Sequence, residues 1–311
     1  MTFSIKHNYS SRFRLMAVLV IAGLVVSFAM AADIPQFNTD KSWDYLIAQC
    51  GFGPRNPGSQ GHSLCQDYLE YELRKYTDRV YLQPFTHYDR RLKTTFYMNN
   101  IIADFGEGDG AKIILCAHWD TRPRSDMDPD PANYHKPILG ASDGASGVAV
   151  LLEMARLFSL APPPVPVQII LFDGEDYGRV GENWDYLLGS KHFAKTADPA
   201  DYRYAVLLDL IGDQDLEIKR EYNSYKYCRD LQDKVWRIAE EVGSHQFSER
   251  LTHPIIDDHL SLIEIGIPAI DIIDIEFEYW HTQGDTPEHC RRESLEAVGK
   301  VIVKLIYSEE P

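Results

Sequence analysis

Along this chain the spacing of apolar residues switches repeatedly between helical and strand periods. SWDYLIAQC and HSLCQDYLEYELRKYT space their apolar residues three and four apart, and the turn-rich GFGPRNPGS joins them. RVYLQPF, TFYMNNIIADF and KIILCAH read as strands, and GVAVLLEMARLF follows as a long amphipathic helix. VQIILF and YAVLLDLIG are apolar without interruption, the pattern of strands covered on both faces. CRDLQDKVWRIAEEVG predicts a helix, IPAIDIID a strand and RRESLEAVGKVIVKLIYSEE a closing helix. Strands and helices taking turns favour an α/β fold, a three-layer α/β/α sandwich on a mixed, largely parallel sheet.

The first thirty residues depart from that alternation. Lys6, Arg12 and Arg14 precede the unbroken apolar run LMAVLVIAGLVVSFA, and Ala29 and Ala31 then form a small-x-small exit. This is the layout of a secretory signal over residues 1–31, with an uncleaved membrane anchor as the alternative. The rest, 32–311, suits a single catalytic domain, exported to the periplasm or beyond and without stable membrane association once the signal is cut. Removing residues 1–31 takes the formal charge from −16 to −19. Such acidity excludes a nucleic-acid partner, since no basic surface would replace the counterions of a phosphate backbone. Five scattered cysteines, without CxxC or Cys/His spacing, exclude a zinc ribbon or a disulfide framework.

Chemistry concentrates where strands end, the edge at which ligands collect in open sheets of this kind. KIILC runs into Ala117-His118-Trp119-Asp120, and VQIILF into Asp173-Gly174-Glu175-Asp176. YAVLL runs into Asp209, the loop GASDGASG carries Asp143, and EYWHT carries Trp280 and His281. Each has a plain alternative. Asp143 can cap the helix that follows, Asp209 can tie a loop, His281 can pack, and His118 can pair with Asp120 alone. Adjacent Glu175 and Asp176 after a buried strand are harder to explain so, because desolvated like charges need a cation. Together the segments point to a carboxylate and histidine site for a divalent metal, and those donors suit zinc. Adjacent residues point different ways, so one acid can bind metal while its neighbour carries protons.

GASDGASG, LFDGEDYG, LLGSKHFA, VLLDLIGD, IIDDH and EYWHT resemble, in order, the motifs of the zinc-dependent glutaminyl-peptide cyclotransferases of the animal and bacterial type. The likeness runs from near GPRNPGS to the final helix. That family shares its fold with the zinc aminopeptidases, so the resemblance implies a zinc-exopeptidase-like sandwich. It further implies one zinc ion per chain, held by Asp143, Asp176 and His281. Glu175 matches the family's general acid/base, Asp209 an acid working beside it, and Asp257 a hydrogen-bonding member of the same network. Trp280 matches a tryptophan lining the substrate pocket. The implied reaction closes the N-terminal glutamine of a peptide to pyroglutamate and releases ammonia.

Three departures from the animal enzymes stand out. Their second acid of the pair is usually Glu, one methylene longer than Asp176. A tryptophan shortly after it falls on Gly181, for which nearby Trp184 is the stand-in expected. Their cysteine pair around the metal aspartate is incomplete, with Cys116 near the first position and no partner just after Asp143. The runner-up is a secreted zinc aminopeptidase, which would use two metals, with Asp143 bridging and His118 and Asp209 on the second. A catalytically dead binding domain would be signalled by loss of Glu175 or of a ligand, and none is lost.

Overall fold

The computed structural model describes residues 1, 2, 34–179, 181 and 183–310. Apart from Met1 and Thr2, the expected signal at 1–31 lies outside the described residues. Two helices open the described chain, α1 (Thr39–Gly51) and α2 (Gln60–Arg74). Each is started by a side chain: Asn38 accepts from Lys41 N and Ser59 from His62 N. Strands β1 (Val80–Asp89), β2 (Thr94–Phe105) and β3 (Lys112–His118) lead to the helix α3 (Ala145–Leu160). After β4 (Val167–Phe172) come α4 (Leu188–Ala194), β5 (Tyr202–Asp209), β6 (Ile218–Arg220), α5 (Tyr222–Tyr227) and α6 (Arg229–Val242). The chain closes with β7 (Phe247–Leu251), α7 (Asp258–Glu264), β8 (Ala269–Ile273) and α8 (Arg292–Tyr307).

Six strands form one sheet in the order β1-β2-β4-β3-β5-β8. β4, β3, β5 and β8 run parallel, while β2 is antiparallel to both β1 and β4. β6 and β7 pair separately. The expected mixed, largely parallel sheet is thus present, and side-chain alternation along its strands gives two apolar faces. Ile113, Leu115 and Ala117 of β3 join a core with α1, α2, α3, α6 and α8. Ile114 and Cys116 face the other way, toward Phe193 of α4 and Leu262 of α7. Helices therefore cover both faces, which is why β3, β4 and β5 read as continuous apolar runs.

Five short elements, α4, α5, α7, β6 and β7, carry no periodic signal in the sequence, since three to seven residues are too few to establish one. No helix among the described residues is long and apolar enough to cross a membrane. All five cysteines are free, so Cys116 forms no disulfide.

Candidate metal centre and active site

The parallel strands end together. His118 of β3 sits level with Phe172 of β4, and Asp209 of β5 with Ile273 of β8, so the loops that follow share one edge. Asp143 arrives on the GASDGASG loop, whose glycines permit a close approach. Gly144 holds φ 96° at the start of α3, and a Cβ there would lie 2.8 Å from Asp120 O. At Gly147 a Cβ would lie 2.2 Å from Leu208 O. The helix thus comes down directly on β5. Asp143 does not cap it: the cap residue is Gly144, without a side-chain bond. Instead Asp285 accepts from Ser142 N (2.7 Å) and Asp143 N (3.1 Å), so the Asp143 carboxylate is not spent on its own loop.

Asp143, Asp176 and His281, all buried, bring one donor atom each to within 4.8 Å of one another. His281 Nε2 lies 3.3 Å from Asp176 Oδ2 and 3.5 Å from Asp143 Oδ2. Both of those oxygens are buried without a hydrogen-bond partner. Donors about 2.0–2.1 Å from a tetrahedral zinc stand about 3.3 Å apart, which matches this spacing. Two unanswered buried carboxylate oxygens facing an imidazole nitrogen fit a divalent cation and are costly without one.

A second group adjoins the first. His118 Nε2 stands 3.1 Å from Asp143 Oδ1 and 3.1 Å from Asp209 Oδ1, so Asp143 faces both groups through separate oxygens. Its Nδ1 is 3.6 Å from Asp120 Oδ1, and β3 ends at His118, so the two do not share a strand face. Burial works against a charge on His118, but Asp209 and its other acid neighbours raise its pKa well above the usual value. A third buried group, Asp257, His259 and Asp271, lies within similar mutual reach. Asp257 starts α7 by accepting from Asp258 N and leaves Oδ2 unpartnered. Burial, and then Asp209, push it up to about 7.

The paired acids diverge as the sequence suggests. Asp173 turns away, binding His62 and Asn99 N. Burial would raise Asp176, but His281 and Arg122 more than reverse this and hold it below the usual carboxylate range. Burial raises Glu175 well above its usual value, with Asp257 adding to the rise. Glu175 is only half-buried, opening on a cavity of about 400 Å³ that also reaches Asp143, Asp176, Asp209, Asp257 and His281. Met127, Tyr186, Ile256, Ile275 and Trp280 give that cavity apolar walls. Gly181 lines it too, whereas Trp184 is 66 % exposed and borders a different cavity with His87 and Asp185. Trp184 is therefore no stand-in.

Several supporting groups have no sequence signature. Arg122, fully buried just beyond β3, donates from Nη1 to Asp176 Oδ1 (2.5 Å) and from Nε and Nη2 to the two oxygens of Asp126 (2.7 Å each). Arg55, also fully buried, donates to the carbonyls of Trp119, Leu139 and Gly140 and so fastens the loops carrying His118 and Asp143. His281 has φ 56° and Leu210, just after Asp209, φ 51°. Left-handed backbone at non-glycine residues costs about 1–3 kcal/mol and persists where the surroundings enforce it, commonly at functional sites.

The family model described as Peptidase family M28 matches residues 100–306. Among curated relatives, glutaminyl-peptide cyclotransferase of Bos taurus is 26% identical over 282 residues, covering 80% of this chain and 76% of that protein. Bacteroides thetaiotaomicron glutaminyl cyclase, solved with N-acetylhistamine, aligns with a TM-score of 0.85 at 35% identity over 89% of this chain and 99% of its own. A leucine aminopeptidase precursor solved from the same species gives the same identity, coverage and TM-score. The family model spans well over half of the chain, and the fold agrees with these solved relatives, so the chain belongs to peptidase family M28.

Proposed function

We propose that this protein is a zinc-dependent glutaminyl-peptide cyclotransferase acting on peptides with N-terminal glutamine. One observation carries the reading: Asp143, Asp176 and His281 converge with two unanswered carboxylate oxygens, and Glu175 stands free beside them in the cavity. The 35% identity to a solved glutaminyl cyclase supports it. Asp143, Asp176 and His281 would hold a single zinc, and the ion, when bound, supplies Lewis-acid polarisation of the substrate γ-carbonyl.

The remaining work falls to the chain's own side chains. Trp280 and the apolar wall hold the glutamine so that its α-amine meets the carbonyl carbon (Cδ) of its own side-chain amide, an arrangement that removes the entropy of a bimolecular encounter. A C–N bond forms between those atoms. Glu175 takes the proton leaving the α-amine and returns it to the departing γ-nitrogen as the old C–N bond breaks, giving pyroglutamate and ammonia. Asp209 and Asp257 complete the acidic network around Glu175. Residues 1–31 act as an export leader and 32–311 as one catalytic domain, which places the reaction outside the cytoplasm.

A second reading, a two-metal aminopeptidase, draws on the His118, Asp143 and Asp209 group and on the aminopeptidase precursor among the solved relatives. Substrate comparison separates the two. The expected outcome is that the purified protein releases ammonia from glutaminyl peptides and leaves leucyl arylamides intact. Cleavage of the arylamide without ammonia release would establish the peptidase instead.

A further inference from the structure

The acid at position 176 is shorter than the glutamate usual in the animal enzymes, and what surrounds it differs from a bare ligand. One of its oxygens is taken: Arg122 Nη1 donates to Oδ1 at 2.5 Å. The other, Oδ2, has no partner and faces His281 Nε2 at 3.3 Å. Arg122 is itself held at its other two nitrogens, with Nε and Nη2 on Asp126 and Nη2 also donating to Tyr186 Oη (2.9 Å). Asp126 Oδ1 in turn lies 3.9 Å from His281 Nδ1, on the opposite side of that ring from the converging donors. A single Arg122–Asp126 pair thus backs two of the three proposed ligands.

We infer that Arg122 is a positioning residue that occupies one oxygen of Asp176 and so restricts this ligand to binding the ion through the other. The inference rests on the zinc reading above and deepens it. A carboxylate free at both oxygens can chelate a cation with both, filling a coordination position that substrate must use. With Oδ1 committed to a guanidinium, only Oδ2 is available. The guanidinium suits the task because its planar fork directs three nitrogens at fixed angles, where an ammonium offers a single point charge. Sharing Asp176 between two cations also weakens it as a donor, leaving the ion a stronger electrophile. Its pairing with Asp126 keeps the added charge neutral overall.

The test uses the full chain with cobalt(II) in place of zinc, whose visible bands report coordination number. Arg122→Met combined with Asp126→Asn removes one positive and one negative charge together, so orientation changes while net charge does not. The expected result is weaker, shifted cobalt bands as Asp176, released from Arg122, turns to bind through both oxygens. Arg122→Lys, which keeps the charge and loses the fork, gives an intermediate spectrum. Should the double variant fail to fold, as judged by circular dichroism and melting of the metal-free form, Arg122→Lys decides alone. A spectrum identical to that of the unmodified protein overturns the inference. Asp176→Ala serves as the control: unchanged zinc affinity in that variant would mean that the ligand assignment itself has failed.

Discussion

Replacing Glu175 by Gln changes one atom and tests the proposed proton carrier directly. The backbone of residue 175 is anchored independently of its side chain, with N donating to Asp120 Oδ1 (3.0 Å) and O accepting from Leu187 N (2.9 Å). Gln has nearly the volume of Glu, and the side chain is half-buried at the cavity wall, so the substitution neither opens a void nor moves the loop. What it removes is the ability to take and return a proton. A positioned general acid/base contributes about 10²- to 10⁴-fold, or about 3–5 kcal/mol of barrier at about 1.4 kcal/mol per decade. The assay is the initial rate of ammonia release from a glutaminyl peptide, with zinc measured on the same sample by elemental analysis. The expected outcome is a kcat lower by at least a hundredfold with zinc content unchanged. Activity within threefold of the unmodified protein, with zinc in place, would remove Glu175 from the chemistry. Loss of zinc along with activity would place Glu175 among the ligands instead.

Gly147→Ala places a methyl 2.2 Å from Leu208 O, so α3 must lift off β5; urea unfolding should show a loss of about 1–3 kcal/mol, and an unchanged midpoint would refute the close approach. Asp274 is raised to about 6, by burial first and then by Asp213, against backbone donors that pull it down. Its contribution to stability is therefore full below about pH 4 and lost as pH rises through 6, at most about 3 kcal/mol. In Asp274→Asn the urea midpoint should fall less between pH 4 and 7 than in the unmodified protein, and parallel profiles would count against the burial argument. Chelation should abolish ammonia release and lower the melting temperature. A hundredfold excess of free zinc over its Kd should restore about 2.7 kcal/mol, with one equivalent bound. A requirement for two equivalents would favour the peptidase reading.

How much of this was visible beforehand follows the physics of each signal. KIILCAH and VQIILF are strands residue for residue because a two-face-covered strand writes itself as an uninterrupted apolar run. The acids and histidines stood out because they interrupt such runs at one end. The left-handed backbone at His281 and the capping of α3 by Gly144 rather than Asp143 follow from tertiary contacts with distant segments, which no local pattern encodes. Arg122 and Asp126 lie in TRPRSDMD, a stretch that reads as an ordinary charged loop until folding buries the guanidinium against Asp176. Trp184 lies only eight residues after Asp176, yet the intervening chain carries it out to a separate, exposed cavity, and closeness in sequence does not encode that.

Arg55 has a bearing on where this protein can be cut. The stretch matched by the M28 model starts at residue 100 and holds every acid and histidine proposed for the metal and the proton transfer. A chain trimmed to that stretch would keep the full chemical inventory and still leave the carbonyls of Trp119, Leu139 and Gly140 without the guanidinium that answers them. Each unanswered buried carbonyl costs about 1–3 kcal/mol, a large share of what a domain has to spare. The reactive groups and the smallest unit able to assemble them therefore have different borders, and the border of the second lies upstream of Arg55.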